Sequence, residues 1–281
     1  LRGKGLKGAV GTQAGYDEML AGTGMDALQM EAAAMAVLEL PYFPIATQTY
    51  TRQQDLRVQQ VLAGIAASLH KFALDFRVLQ SPPFGEWAEP FGKKQVGSSA
   101  MPFKRNPINT ENICSLARYV AGLPAVAWDN ASQAILERSL DDSANRRLFQ
   151  AEGFLATDEL LRRATRLVAE MVIDEEAIAR NMAIYGPFAA TERVLMALVA
   201  AGASRQDGHE WIREASLQAW AVLRDGRSNP LVELLLADAR IGTFLDAAQV
   251  KELMRAEGHV GTAVRRARTF AQTVREAISQ T

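Results

Sequence analysis

Apolar residues recur three and four positions apart along several long segments of this chain. The spacing is clearest after Asp55, where it places one apolar stripe on a single helical face: Leu62, Ile65, Leu69, Phe72, Phe76 and Leu79. Such a stripe is typical of a helix that packs in a bundle. We therefore predict a long helix here that forms one seam of a helical bundle.

Three further long helices are predicted from the same spacing and from the positions of prolines. One is expected to begin near Asp17 and to end before Pro41. The next begins after Pro107, and Pro124 should kink it or end it. The last runs from about 143 to 171, and its packing stripe is expected to contain Leu148, Phe154, Leu155, Leu161, Ala164, Val168 and Met171.

Beyond Val172 the predicted helices are shorter, and strands are hard to place anywhere in the chain. Breaks are expected at Gly186-Pro187, Gly202, Asn229-Pro230 and Gly242. The pattern predicts an all-α fold, with a long central helical bundle over residues 1–173 and a smaller helical C-terminal domain over residues 174–281.

One long loop interrupts the helical pattern at about 81–107, where the sequence reads SPPFGEWAEPFGKKQVGSSAMPFKRNP. Its glycines, prolines and polar residues cannot propagate a helix, and a loop of this length usually carries function or is disordered. It ends in GSSAMPFKRNP at 97–107. Backbone donors, a cation and an amide at the entry of a helix suit the binding of a dicarboxylate.

Composition narrows the class of partner. The 31 basic residues nearly balance the 32 acidic ones, so no net field draws the surface to nucleic acid or to an anionic membrane. No apolar run is expected to reach the length of a bilayer span, and the first residues do not read as a signal peptide. The single cysteine, Cys114, fits a reducing cytoplasm. We expect a cytoplasmic protein whose partner is a small molecule or another subunit.

The motif GSSAMPFKRNP resembles the signature of the fumarase/aspartase superfamily. KGAVGT at 7–12, ATQTYTRQQD at 46–55 and ILERSLDDSANRR at 135–147 are similar to segments of one of its families, the adenylosuccinate lyases. The resemblance covers nearly the whole chain. It implies β-elimination of fumarate from adenylosuccinate, giving AMP, and from the related succinyl-carboxamide purine precursor. It also implies a homotetramer with active sites shared between subunits, and neither a metal nor an organic cofactor.

By this resemblance Ser98 is the catalytic base, and Lys104 and Asn106 hold the substrate. Removal of a proton next to a carboxylate builds a doubly charged aci-carboxylate, which a cation and an amide can stabilise. A serine is a poor base, but backbone donors and a lysine favour its anion when water is excluded. Gly92 and Gly97 would let the loop close over the substrate.

The resemblance also assigns substrate contacts outside the loop. Gln48 matches a substrate-binding glutamine, and Arg138, Ser143 and Arg147 match an Arg, Ser, Arg set that suits a nucleotide phosphate. Glu111 matches a family glutamate that pairs with a catalytic histidine, but a glutamate in the first turn of a helix also compensates the helix dipole.

An alternative stays open for the segment at 135–147. Ser143 or Asp142 could simply cap a helix, with Arg146 and Arg147 facing water. The family form ERDISHSS is replaced here by ERSLDD, so contacts at 139–142 do not transfer from the family. Within the loop, Phe103 replaces the Tyr or His that is common at that position.

The family's general acid is a histidine in a TH-x-Q-x-A motif upstream of KGAVGT. The three histidines of this sequence stand elsewhere: His70, His209 and His259. We therefore expect a further N-terminal domain in the complete enzyme. Two alternatives remain: another lyase of the superfamily, such as argininosuccinate lyase or carboxymuconate cycloisomerase, and a non-catalytic helical scaffold with the same fold.

Overall fold

The structure, a computed structural model, describes residues 1–90, 105–136 and 140–280. The described chain is almost entirely helical, and the all-α prediction is confirmed. Its helices are α1 (Ala14–Leu20), α2 (Ala27–Val37), α3 (Gln53–Gln80), α4 (Ile108–Ser132), α5 (Asp142–Glu170), α6 (Glu175–Ala200), α7 (Arg205–Arg224), α8 (Leu231–Ala237), α9 (Ala239–Gly242), α10 (Ala247–Leu253) and α11 (Ala263–Ser279). Two short strands, β1 (Trp87–Ala88) and β2 (Val172–Ile173), pair antiparallel.

The chain divides into two compact units, which are described separately here. Unit 1 comprises the described residues of 1–82 and 87–173, and unit 2 comprises 83–86 and the chain from 174 onward.

Three long helices, α3, α4 and α5, form the centre of unit 1. Their shared core contains Leu62, Ala66, Ala73, Phe76, Ile113, Cys114, Ala117, Val120, Leu160, Ala164 and Leu167. The long helix predicted after Asp55 is confirmed: Leu62 and Phe76 of its stripe are buried in this core, and Leu69 and Phe72 pack against it. Burial of each large apolar side chain contributes about 1.5–3 kcal/mol, so the core holds the three helices in register.

Most of the predicted stripe of α5 does not pack within this chain. Most of its members are exposed: Leu148, Phe154, Leu155, Leu161 and Val168. The face that packs inward shares Ala164 with the predicted stripe and is otherwise formed by different residues: Phe149, Gly153, Thr157, Leu160 and Leu167. Small residues are needed on that face because a Cβ at position 153 would lie 2.6 Å from Oε1 of Gln59 on α3. The apolar residues that periodicity identified therefore form an outer face.

Three local predictions of breaks and continuity are also corrected. The helix expected from Asp17 to Pro41 is two helices, α1 and α2, because Gly22 and Gly24 between them adopt positive φ. α4 continues through Pro124 to Ser132. α6 runs through Gly186-Pro187, where a break was predicted, and the glycine allows a close approach: its Cβ would lie 2.6 Å from that of Ala256.

Unit 2 has its own core, built by α6 to α10 around Val194, Leu198, Leu231, Leu235 and Ile241. By length and composition alone α6 could cross a membrane, so the prediction that no apolar run reaches that length is wrong. In unit 2, however, Val194 and Leu198 of this helix are fully buried in the protein core. No residue of α11 is buried.

Candidate active site

The N-terminal ends of α3 and α5 meet at one end of unit 1 through a network of charged side chains. Arg52 donates from Nε to Asp142 Oδ2 at 2.5 Å, and Arg146 donates from Nε to Asp55 Oδ2 at 2.7 Å. The Tyr50 hydroxyl accepts from Arg146 Nη2 at 2.7 Å and donates to Asp55 Oδ1 at 2.7 Å. We call these five residues the Tyr50 clasp: Tyr50, Arg52, Asp55, Asp142 and Arg146.

The Tyr50 clasp is largely shielded from water. Arg52 is 7% exposed, and Asp55 and Asp142 are each 5% exposed. The guanidinium carbons of Arg52 and Arg146 lie 5.0 and 5.7 Å from the centre of the Tyr50 ring, within the range of cation–π attraction. Burial, together with the hydrogen bond to Asp55, raises the pKa of Tyr50. Burial lowers the pKa of Arg146, but the hydrogen bond to Asp55 and the charge interactions with Asp55, Tyr50 and Asp142 together outweigh burial, so the pKa is raised overall.

A cavity of about 270 Å³ lies beside the clasp. Its polar lining includes Thr47, Thr49, Tyr50, Arg52, Asn130 and Asp142. Gln48 is exposed and stands between two of the lining threonines in sequence, but it does not line the cavity itself. The segment at 46–52 and the start of α5 are thus brought together around one polar cavity.

The structure contradicts part of the capping alternative for the start of α5 and agrees with it at Arg147, which is exposed. The N-cap residue is Asp141, so neither Ser143 nor Asp142 caps the helix. Arg146 does not simply face water, because it is bound to Asp55 and Tyr50. Ser143 is half-buried and Arg147 is exposed. Ser143 and Arg147 are therefore at the clasp end, whereas Arg138 lies outside the described residues.

Asn106 and Glu111 lie at the other end of the bundle, where α4 begins. Glu111 Oε1 is 3.9 Å from Nη2 of Arg77, near the C-terminus of α3. Gln80 donates from Nε2 to the backbone oxygen of Arg105, just before Asn106. Along α3, residues 53 and 77 are about 36 Å apart at 1.5 Å per residue. One chain therefore holds its two groups of predicted site residues at opposite ends of a long bundle.

Sequence analysis missed Glu89, which holds the start of α4. Its carboxylate accepts hydrogen bonds from the backbone N–H and side chain of both Asn109 and Thr110, at 2.8 to 3.0 Å. Pro107, the N-cap residue, has no side-chain oxygen with which to accept from the first turn. Because α4 begins at a proline that cannot cap it, the sequence does carry a signal that a carboxylate from elsewhere in the chain accepts hydrogen bonds from its first turn.

The remaining predicted catalytic residues, Ser98 and Lys104, lie outside the described residues. Among the residues that the structure does describe, no group of three or more His, Cys, Asp or Glu side chains could hold a metal ion. His259 pairs with Glu192 at 3.1 Å in unit 2, and His70 lies half-buried along α3.

The segment KGAVGT is anchored by a buried ion pair in unit 1. Nζ of Lys7 lies 2.6 Å from both carboxylate oxygens of Glu31 on α2, and Gln13 Nε2 donates to the same carboxylate at 3.2 Å. The side chains of Lys7 and Glu31 are only 4% and 2% exposed. The pair therefore fixes the segment against α2, which is a structural role.

The chain is similar to known proteins over most of its length. The family model described as "Lyase" matches residues 7–122, and the one described as "Adenylosuccinate lyase C-terminus" matches residues 187–270. Relatives named adenylosuccinate lyase include one from Schizosaccharomyces pombe, 38% identical over 95% of this chain and 55% of its own length. One from Archaeoglobus fulgidus is 33% identical over 97% of this chain and 59% of its own length. The chain thus spans little more than half the length of these relatives.

Solved structures share the fold. A 3-carboxy-cis,cis-muconate lactonizing enzyme from Pseudomonas putida aligns with a TM-score of 0.75 at 24% identity, over 96% of this chain and 57% of the other. A fumarate lyase from Mesorhizobium aligns at 0.71 and 22% identity, over 87% of this chain and 52% of the other. At such identities the likeness concerns the fold alone. Both family models and the named relatives point the same way: over almost its whole length the chain is similar to adenylosuccinate lyases.

Proposed function

We propose that the natural protein carrying this chain releases fumarate from adenylosuccinate, leaving AMP, and carries out the same elimination on the succinyl-carboxamide purine precursor. The observation that carries the proposal is the Tyr50 clasp end of unit 1. There the segment before α3 and the start of α5 are joined by two ion pairs beside a cavity with a mixed polar and apolar lining. Gln48 and Ser143 are neighbours in sequence of residues that line it, and Arg147 lies about one helical turn beyond Ser143. Relatives named adenylosuccinate lyase, 38% identical over 95% of the chain, support the same function.

The chemistry at the reacting carbon is assigned to the motif GSSAMPFKRNP. Ser98 removes the proton next to a carboxylate of the succinyl group, and Lys104 and Asn106 stabilise the doubly charged aci-carboxylate. The electron pair then forms the carbon–carbon double bond of fumarate as the carbon–nitrogen bond breaks. The leaving nitrogen keeps the bonding pair and takes a proton from a general acid.

The nucleotide is assigned to the clasp end. Arg138, Ser143 and Arg147 bind the phosphate, since two guanidinium groups and a hydroxyl offer charge-assisted donors. Gln48 contacts the substrate from the segment before α3. Glu111 at the opposite end is assigned to a catalytic histidine of another segment, as the resemblance implies.

An active site shared between subunits explains how residues at opposite ends of the bundle could bind one substrate. In one chain, Asn106 and Glu111 lie at the end opposite Ser143 and Arg147, about 36 Å away along α3, which is too far for one substrate molecule to span. The exposed apolar stripe on α5 offers a surface for a second copy: Leu148, Phe154, Leu155, Leu161 and Val168. We therefore propose a homotetramer in which ends from different subunits meet.

The proposed setting is the cytoplasm, where the buried thiol of Cys114 stays reduced. The proposed partners are the purine nucleotide substrate and further copies of the chain. Neither nucleic acid nor a membrane has a part in the proposal, and neither a metal nor an organic cofactor is assigned to the reaction.

The test is the absorbance change and fumarate formation when adenylosuccinate is added to the natural full-length protein. We expect turnover in the natural protein and none in Ser98→Ala, with helix content unchanged. Ser115→Ala, at an exposed position on α4, is the matched control and should keep full activity. Turnover of argininosuccinate instead, cyclisation of a carboxymuconate without fumarate release, or no turnover at all would each replace the proposal with one of the alternatives.

A further inference from the structure

We propose that the Tyr50 clasp is a positioning device that sets Ser143 and Arg147 for the nucleotide phosphate. This inference rests on the proposed function and deepens it, because it concerns the same site. Tyr50, Arg52 and Asp142 line the cavity, but the role proposed for the clasp is to position other residues. It acts through the first two turns of α5, which carry two of the three proposed phosphate ligands, Ser143 and Arg147.

Helix geometry connects the clasp to the phosphate ligands. Asp142 and Arg146 are four residues apart, so their side chains share one face of α5, and that face is bound to α3. Ser143 and Arg147 have the same four-residue spacing on a face turned by about 100°. Anchoring two points one turn apart fixes both the rotation and the axial position of this turn. The directions in which the side chains of Ser143 and Arg147 leave the helix are thereby fixed.

The two ion pairs of the clasp are reciprocal. The start of α3 supplies the cation Arg52 and the anion Asp55, and the start of α5 supplies the anion Asp142 and the cation Arg146. A slip of α5 by one residue would break both pairs and leave charges unpaired in a site that excludes water, which is strongly unfavourable. A reciprocal pair therefore specifies register more sharply than one ion pair does.

The start of α5 is also held by contacts outside the clasp. The N-cap residue Asp141 makes no side-chain hydrogen bond to the backbone of the helix start. The bonds that cross from α5 near its start include the amide pair of Asn145 with Asn130 on α4, at 2.7 and 3.1 Å. The charged contacts of the clasp are nevertheless those that flank Ser143 and Arg147 directly.

Tyr50 joins the two ion pairs into one unit. Its hydroxyl bridges Arg146 and Asp55, and its ring lies near both guanidinium groups. It also stands two residues after Gln48. The same side chain thus ties the segment that carries the proposed substrate glutamine to the turn that carries the proposed phosphate ligands.

The test compares affinities for AMP and for adenosine, measured by calorimetry on the natural full-length protein. The ratio of the two affinities isolates recognition of the phosphate, and a partly unfolded fraction lowers both affinities equally and cancels. Arg146→Lys keeps the charge but loses the planar fork, and Tyr50→Phe keeps the ring but loses the bridge. Arg147→Ala removes a proposed ligand directly. Arg162→Lys is the matched control, since Arg162 lies on α5 in an exposed pair with Asp158.

We expect the AMP-to-adenosine ratio to fall roughly tenfold in Arg146→Lys and Arg147→Ala, the loss of about one hydrogen bond to a charged group. Tyr50→Phe should lower it by a smaller factor, and Arg162→Lys should leave it unchanged. KM for adenylosuccinate should rise with kcat nearly constant, as for a loss of uniform binding. If the Arg146→Lys protein does not fold, the AMP-to-adenosine ratio of Tyr50→Phe tests the inference alone.

Two outcomes overturn the inference and can be told apart. If Arg147→Ala lowers the ratio while both clasp variants keep it, the site is correct and the clasp does not position it. If the natural protein neither releases fumarate nor prefers AMP over adenosine, the proposed function itself fails, and Arg147→Ala then has no effect on the ratio either.

Discussion

Arg52 and Asp142 are 90 positions apart in the sequence and form an ion pair that is almost completely buried. Removing one partner leaves a charge without compensation in a site that water does not reach. Arg52→Met should therefore lower the free energy of unfolding by about 3–5 kcal/mol. Urea denaturation followed by circular dichroism measures this change.

The double variant Arg52→Met/Asp142→Leu provides the control. Replacing both charges with apolar groups of similar size removes the unpaired charge, so the double variant should be more stable than the single one. A double variant that is less stable than Arg52→Met would show that the packing of these side chains, and not their charge, stabilises the contact.

Gly5 should tolerate a side chain far less well than another glycine with a similar backbone. Gly5 and Gly22 have φ of 85° and 80°, so alanine is strained at both positions. A Cβ at Gly5 would also lie 2.1 Å from Oε1 of Glu31, whereas nothing lies within 4 Å of one at Gly22. Gly5→Ala should therefore lower the midpoint of thermal unfolding more than Gly22→Ala. Equal shifts would mean that the Lys7–Glu31 pair moves aside at little cost.

Tyr50 should make the folded protein less stable at alkaline pH. Because its pKa is raised in the folded state, mainly by burial, the stability it contributes is complete below its unfolded pKa of about 10 and is lost as the pH rises through the folded pKa. Tyr50→Phe should thus flatten the fall of stability above about pH 10. Tyr119, whose pKa is raised by its hydrogen bond to Glu152, is exposed, and Tyr119→Phe should leave the slope nearly unchanged. Equal slopes in the natural protein and in Tyr50→Phe would contradict the assignment.

The exposed apolar stripe of α5 should form a contact between subunits. Leu148 and Leu155 are 62% and 70% exposed although they are one heptad apart on a long helix. Leu155→Glu would place a charge in such a contact, and we expect it to dissociate the proposed tetramer in sedimentation experiments. Thr165→Glu, at an exposed polar position on the same helix, is the control. A Leu155→Glu protein that remains tetrameric would place the interface elsewhere.

What the sequence allowed us to predict was local. The stripe on α3 follows from the spacing of its own residues. The segments that resemble the adenylosuccinate lyases are each continuous in sequence: KGAVGT, ATQTYTRQQD and ILERSLDDSANRR. The periodicity of α5 was equally clear, but it cannot tell a face that packs within the chain from one that packs against a second copy. A bundle stripe can face another subunit when chains assemble, as the family resemblance implies, so the exposed Leu148 and Leu155 do not contradict the predicted stripe.

The contacts that complete the candidate site are long-range and left little local signal. Arg146 and Asp55 are 91 positions apart, and each reads in the sequence as an ordinary solvated charge. Glu89 caps a helix that begins about twenty positions later, across a loop. At Gly186-Pro187 the error has the opposite sense. The glycine and proline predicted a break, but α6 is continuous there and packs closely against Ala256.

The central claim is that fumarate is released at a site to which two ends of different subunits contribute. Ser98→Ala removes the proposed base, and Arg147→Ala removes a proposed phosphate ligand at the clasp end. At adenylosuccinate concentrations well below KM, the full-length Ser98→Ala protein should be inactive and the Arg147→Ala protein about tenfold slower than the natural protein. After mixing and subunit exchange, about a quarter of the sites combine intact ends, so fumarate release should return to about a quarter of the natural rate. A mixture that is no more active than the Arg147→Ala protein, although exchange is shown to occur, would contradict a shared site.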